Sequence, residues 1–344
     1  MKNKVLALLA TIGLASSVSA VEINKNLSIN GFIDGSWQDR NEDHEVGTNN
    51  DLQDVSVDEV ELNFLLNVGN VSGEIHLDNT NSIGGDDINV EQAHFTYTLD
   101  NGLSVTFGRY GSKLGLERED PAGLYTFSRA YGDGGSYFGA PSAARNYGDV
   151  DTLSREGIAF GYAAESFAVN LSVDQDETNN LESNGEGFSY ELHVSYTGID
   201  NLVANVGWRS EDDGVVGTQS LDTDHININA SYTLGKALIA AEWQEESNDM
   251  TTAGTKGDVE AFQILLDYDF TDKLGGAIRY SNEDQDSNEL SGLEISKFTI
   301  APNYAITDSL GLIVEYTKAD VDATVSDPSS NDYDFIAAEL TFTF

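Results

Sequence analysis

The chain contains no cysteine in 344 residues, so neither a disulfide framework nor a thiolate metal site can hold it together. Stability has to come from elsewhere, and a closed hydrogen-bond ladder is one source. No segment approaches the ~18 consecutive apolar residues of a membrane-spanning helix. Basic residues are scarce: 17 Lys and Arg stand against 59 Asp and Glu, a net charge of −42. Phosphate binding needs clustered Lys and Arg, so nucleic acid is not an expected partner. The five histidines, at 44, 76, 94, 193 and 225, belong to no H-E-x-x-H pattern, and there is no G-x-S-x-G elbow. No catalytic residue, cofactor or metal is expected on these grounds. The acidic excess has two compatible readings: a solvated surface, or a negative field that favours cations.

The first twenty residues have the form of a secretory signal peptide. Lys2 and Lys4 precede a short apolar run, Val5 to Ala15, and Val18-Ser19-Ala20 is a small-residue cleavage site. The exported chain would then span 21–344. An exported chain without an apolar helix either stays soluble or crosses a membrane as a closed barrel, which pairs every backbone polar group within itself.

What fills the chain is alternation with period two. Val60, Leu62, Phe64, Leu66 and Val68 alternate with Glu61, Asn63 and Asn67. Tyr190, Leu192, Val194 and Tyr196 alternate with Ser189, Glu191, His193 and Ser195. About sixteen such runs fit the ~10-residue template of outer-membrane strands. The connections alternate short and long. Gly69-Asn70, Asp100 to Gly102 and Gly235-Lys236 are short, whereas 38–54, 111–153 and 245–258 are long. A soluble sandwich has no reason to sort its loops this way; a barrel with short periplasmic turns and longer outer loops does. With the short turns placed on the periplasmic side, Tyr97, Tyr196, Tyr232, Tyr268, Phe270, Tyr304 and Phe344 fall at one end of the strands. Trp37, Trp208, Trp243, Tyr280 and Tyr316 fall at the other, giving two girdles at headgroup level. The fold expected is all-β: a transmembrane antiparallel up-and-down barrel of about sixteen strands, in a bacterial outer membrane. Pro302 interrupts one run, and a bulge or an early strand end is expected there.

The longest connection, 111–153, is the best candidate for a loop folded into the lumen. Arg109, Lys113, Arg118, Arg129, Arg145 and Arg155 cluster around it, with Glu117, Glu119 and Asp120 among them. Glu59 and Glu61 face it from the polar side of a wall strand. Opposed charges across a narrow passage filter solutes by charge and size. The plainer alternative is that these charges staple a surface loop. The acidic stretches 174–177, 283–286 and 332–334 are weaker candidates for hard cations, since none has the full calcium-loop pattern.

Glu91-Gln92-Ala93-His94-Phe95-Thr96-Tyr97, then Gly102 to Arg109, then Gly115-Leu116-Glu117 and Ser128-Arg129-Ala130-Tyr131 resemble the OmpL-like β-barrel porin family. The match covers about sixty residues; Tyr125-Thr126-Phe127 departs from the family's usual Asn and Trp before the S-R step. The layout is also similar to general trimeric porins, in which the loop after the fifth strand forms the constriction. Phe342 and Phe344 resemble the terminal signal read by the barrel-assembly machinery. The resemblance implies a water-filled channel for small hydrophilic solutes, a homotrimer, and a setting of outer-membrane lipid and lipopolysaccharide. A channel selective for sugars or anions, or a plugged structural barrel, are the alternatives.

Overall fold

The computed structural model describes residues 20–44, 50–79, 88–118, 121–131, 155–175, 188–216, 219–250, 255–287, 293–323 and 331–344. The expected signal segment up to residue 19 lies outside them, as do Glu119, Asp120 and Arg145. The strands are β1 (Val21–Asn24), β2 (Leu27–His44), β3 (Asn50–Val68), β4 (Val71–Asn79), β5 (Asn89–Thr98), β6 (Leu103–Tyr110), β7 (Arg155–Ala163), β8 (Phe167–Gln175) and β9 (Phe188–Tyr196). They continue as β10 (Leu202–Val216), β11 (Gln219–Leu234), β12 (Ala237–Met250), β13 (Thr255–Asp269), β14 (Leu274–Ser287), β15 (Leu293–Ala305), β16 (Leu310–Ala323) and β17 (Asn331–Thr343).

Each strand from β2 to β17 pairs antiparallel with the next, and β17 returns to β2 through Phe342↔Ile33 and Asp332↔Asp43. The result is a closed sixteen-strand barrel. Closure removes every sheet edge, which a hydrocarbon environment demands. Its seam is shared. Gly31 and Phe344 exchange backbone hydrogen bonds of 3.1 and 3.0 Å, where β17 stops. Two rungs further along β2, β1 takes over the same edge through Val21↔Ile29 and Glu22↔Ser28. One strand position of the ring is thus built from both ends of the chain. Deleting Phe344 removes this last pair of bonds and the ring contact with Phe342. A loss of about 1–3 kcal/mol is expected, read as a lower urea midpoint of the barrel in detergent; an unchanged midpoint would show that β1 alone holds the seam.

The pleat sorts the side chains as a membrane barrel requires. On β9 Phe188, Tyr190, Leu192 and Tyr196 are exposed, whereas Ser189, Glu191, His193 and Ser195 are buried on the lumen side. Apolar residues are therefore outside and polar ones inside, the reverse of a soluble sandwich. Tyr97, Tyr196, Tyr232, Tyr268, Phe270 and Tyr304 are exposed at the short-turn end, and Trp37, Trp208, Tyr280 and Tyr316 at the other. The two-residue turns open on Gly69 (φ 65) and Gly235 (φ 63), left-handed positions that glycine takes without steric cost.

Two expectations are corrected. Pro302 causes neither a bulge nor a stop. β15 runs on to Ala305, with Gly276 opposite Pro302 on β14. Toward β16 the register is unchanged on either side (Ile300↔Tyr316, Asn303↔Ile313), and only the rungs between are missing, because proline has no N–H to give. Second, most of the acidic stretches expected in outer loops are strand. Asp174 ends in the lumen wall, Glu283 to Asp286 belong to β14, and Asp332 to Asp334 to β17.

Candidate functional site: the lumen and its inserted loop

From the end of β6 the chain turns into the lumen and crosses it. The Tyr110 hydroxyl donates to Asp174 Oδ1 of β8 (2.6 Å). The Ser112 hydroxyl and Lys113 backbone N–H donate to the two oxygens of Glu191 on β9 (2.6 and 2.8 Å). Leu114, fully buried, lies on β10 over Gly207, where a Cβ would stand 1.7 Å from Leu114 Cδ2, so any larger residue has to displace the leucine. Leu116 N–H donates to Glu242 Oε1 of β12 (2.7 Å). Glu117 then reaches β14, the strand diametrically opposite β6 in the ring, where its Oε1 is 2.6 Å from Arg279.

Arg279 organises the far side. It is fully buried. One terminal nitrogen donates to Glu117 Oε1, the Thr126 hydroxyl (2.8 Å) and the Ser128 carbonyl (2.7 Å). The other donates to the Ser128 hydroxyl (2.8 Å) and the Arg129 carbonyl (3.0 Å). Lys297 of β15 also donates to the Arg129 carbonyl (3.0 Å), Ser281 to the Ala130 carbonyl (3.0 Å), and Ser128 donates both N–H and hydroxyl to Glu315 of β16. Apolar contacts finish the docking: Phe127 meets Phe335 edge-on at 6.3 Å, and Ala130 and Tyr131 pack on Val259 and Ala261 of β13. Burial beside Asp267 and Asp269 pushes the Tyr125 phenol up to about 12, so it stays protonated.

These positions separate the expected residues into groups. Glu117 and Arg129 are loop staples, Arg129 donating to the Glu117 carbonyl. Arg155 lies buried in the β7 wall, 3.7 Å from Glu211. Arg109 alternates with lumen-facing Tyr110, so the pleat sets it on the outward face, where it donates to the Glu91 carbonyl (2.9 Å). It is not among the lumen-lining charges. Lys113 is exposed and within electrostatic reach of Glu74 and His94 on the facing wall, and it and Arg118 both act on His193. Glu61 is buried on the lumen side of β3, and Glu59 shares its parity.

Sequence reasoning missed Arg40, Arg209, Arg279 and Lys297, all buried in the lumen. Arg209 gathers Glu211 (2.6 Å), Glu191 (3.2 Å) and Asp174 (3.3 Å). A usable signal was present: each of Arg209 and Arg279 is a lone base on the polar parity of a recognisable strand, in a chain where bases are rare.

A sixteen-strand barrel crossed by an inward loop is a channel architecture, and the family comparison agrees with it: the model of the Gram-negative porins matches residues 5–324. The chain belongs to the Gram-negative porin family. It is therefore an outer-membrane channel protein. Solved porins and channels share its fold at low identity. The outer-membrane channel DcaP of Acinetobacter baumannii superposes with a TM-score of 0.67 at 14% identity, covering 92% of this porin and 97% of that chain. The anion-selective porin of Comamonas acidovorans gives 0.65 at 14%, covering 92% and 99%. The trimer form of Vibrio cholerae OmpT gives 0.65 at 14%, also covering 92% and 99%. No curated protein matches this porin in sequence.

Proposed function

We propose that this porin is a water-filled channel for passive diffusion of small hydrophilic solutes and ions, with a preference for cations. The observation that carries the preference is the charge inventory of the lumen. Buried carboxylates outnumber buried Lys and Arg, and Arg209, Arg155 and Arg279 are each bound to carboxylates. What remains uncancelled is negative, and a low-dielectric wall focuses that field into the water between. The passage is framed by Lys113 and Arg118 on the loop and by Glu59, Glu61 and Glu74 on the opposite wall; Glu119, Asp120 and Arg145 complete the loop's charge set. The exported chain begins after residue 20. A homotrimer is the assembly proposed, in line with the trimer form of the Vibrio cholerae relative. The exposed apolar band takes outer-membrane lipid and lipopolysaccharide, and Phe342 and Phe344 serve as the signal for the barrel-assembly machinery.

The zero-current potential across a planar bilayer with a KCl gradient tests the preference. Potassium should permeate faster than chloride. Replacing Lys113 and Arg118 with Ser should raise that ratio about fivefold per charge, since a unit charge ~8 Å away in a water-like medium is worth about 0.5 kcal/mol, of opposite sign for the two ions. A potential of the opposite sign in the unaltered protein ends the cation reading and leaves the channel reading intact.

A further inference from the structure

We propose that Glu61, His76 and Glu91, on the lumen side of β3, β4 and β5, form a binding site for a borderline-soft divalent cation, zinc being the best fit. His76 Nδ1 lies 3.1 Å from Glu61 Oε1 and 3.5 Å from Glu91 Oε2, and the three ligand atoms all lie within 4.8 Å of one another. Ligands held about 2.0–2.2 Å from a tetrahedral zinc stand roughly 3.3–3.6 Å apart, so the two contacts match the edges of such a site.

A single ring proton does not account for the arrangement. Glu61 is 1% exposed, and apart from the His76 ring nitrogen neither its oxygens nor Glu91 Oε2 have a hydrogen-bond partner. The other ring nitrogen, Nε2, is 3.3 Å from Glu74 Oε2. An Nε2–H donated to Glu74 leaves a lone pair on Nδ1, aimed at two buried carboxylates, with the Gln92 amide at the 3.5 Å limit. Electron-rich atoms converging in this way need a positive charge between them, either a second proton on the imidazole or a metal ion. A carboxylate behind a histidine that presents its opposite nitrogen is also how metal-ligating histidines are oriented.

The backbone contributes a separate indication. The β4–β5 register shifts between His76↔Gln92 and Leu77↔Val90, leaving Glu91 as the extra, unpaired residue. A bulge re-aims a side chain, and this one turns Glu91 into the lumen beside His76. The His76 side chain is 13% and the Glu74 side chain 42% exposed, so the site opens toward the channel water. An imidazole among the ligands favours zinc and its neighbours over calcium or magnesium, which prefer oxygen alone. A divalent ion fixed here would cancel part of the negative field on the wall facing Lys113.

The test uses the full folded barrel in detergent, stripped with a chelator, dialysed and titrated with Zn²⁺ by calorimetry, with bound metal counted by elemental analysis. One zinc per chain is expected, and His76→Gln and Glu91→Gln should each weaken binding at least tenfold while heat-modifiable gel migration shows a folded barrel. Absence of saturable zinc binding in the unaltered protein overturns the proposal, as does binding undiminished in both variants, which would place the ion elsewhere. Should a variant not fold, Co²⁺ in the unaltered protein replaces it. Intense visible bands of a tetrahedral site with nitrogen and oxygen ligands support the assignment, and an octahedral all-oxygen spectrum overturns it.

Discussion

Arg279→Ala should raise single-channel conductance and expose the inserted loop to trypsin, with the barrel still folded. The guanidinium makes five hydrogen bonds to the loop at 2.6 to 3.0 Å and is the charge partner of buried Glu117. Removing one member of a buried, hydrogen-bonded pair costs about 3–5 kcal/mol, because the other is left uncompensated. Here the chain has an escape: lifting the loop off β14 returns Glu117 to the lumen water. The cost therefore appears as loop release rather than global unfolding. Freed, the backbone beside Arg118 and Arg129 becomes a substrate for trypsin. Arg279→Lys keeps the charge but loses the planar fork that reaches Glu117, Thr126, Ser128 and Arg129 together, so its effect should fall between. Conductance and protease resistance equal to the unaltered protein would mean that Lys297, Glu315 and the Phe127–Phe335 contact hold the loop without Arg279.

Arg209→Met should instead destabilise the wall. Asp174, Glu191 and Glu211 lie within 3.3 Å of this one side chain, and all are buried. Arg155, 3.7 Å from Glu211, stays on one side of the group. The three carboxylates belong to β8, β9 and β10, so their repulsion strains three adjacent strands, and no loop movement relieves it. A loss of about 3–5 kcal/mol is expected, measured as a lower urea midpoint at neutral pH. A midpoint equal to that of the unaltered protein would show that the three carboxylates are held without Arg209.

How much of this was readable beforehand follows from what alternation reports. Apolar alternation marks where a strand meets lipid, not where it ends. The expected runs 225–234, 259–270 and 310–317 are extended in the structure by β11 to Gln219, β13 to Thr255 and β16 to Ala323. The extra residues, such as Asp222, Thr223 and Asp224, are polar on both faces because they stand in water on both sides, so the period-two signal vanishes while the hydrogen-bond ladder continues. Strand number and loop parity were legible because each leaves an apolar or length signature. The docking of the loop was not. Glu117 meets Arg279 across 162 residues of sequence, and nothing local to either residue names the other. Arg109 was misplaced for a related reason: nearness in sequence to the loop says nothing about which face of the pleat a residue takes.

The shared seam sets the order in which such a molecule can be made. Pairing β2 with β17 joins residues about as far apart as the chain allows, Ile33 to Phe342. The closure entropy of so long a loop grows only logarithmically, but nothing is regained until both edges are present together. A half-barrel would leave two unpaired strand edges, which hydrocarbon does not tolerate. The rate-limiting event is thus expected to be a meeting of the two termini, and every earlier intermediate must be sheltered, by a chaperone in transit or by an assembly machine at the membrane, until β1 and β17 stand end to end against β2.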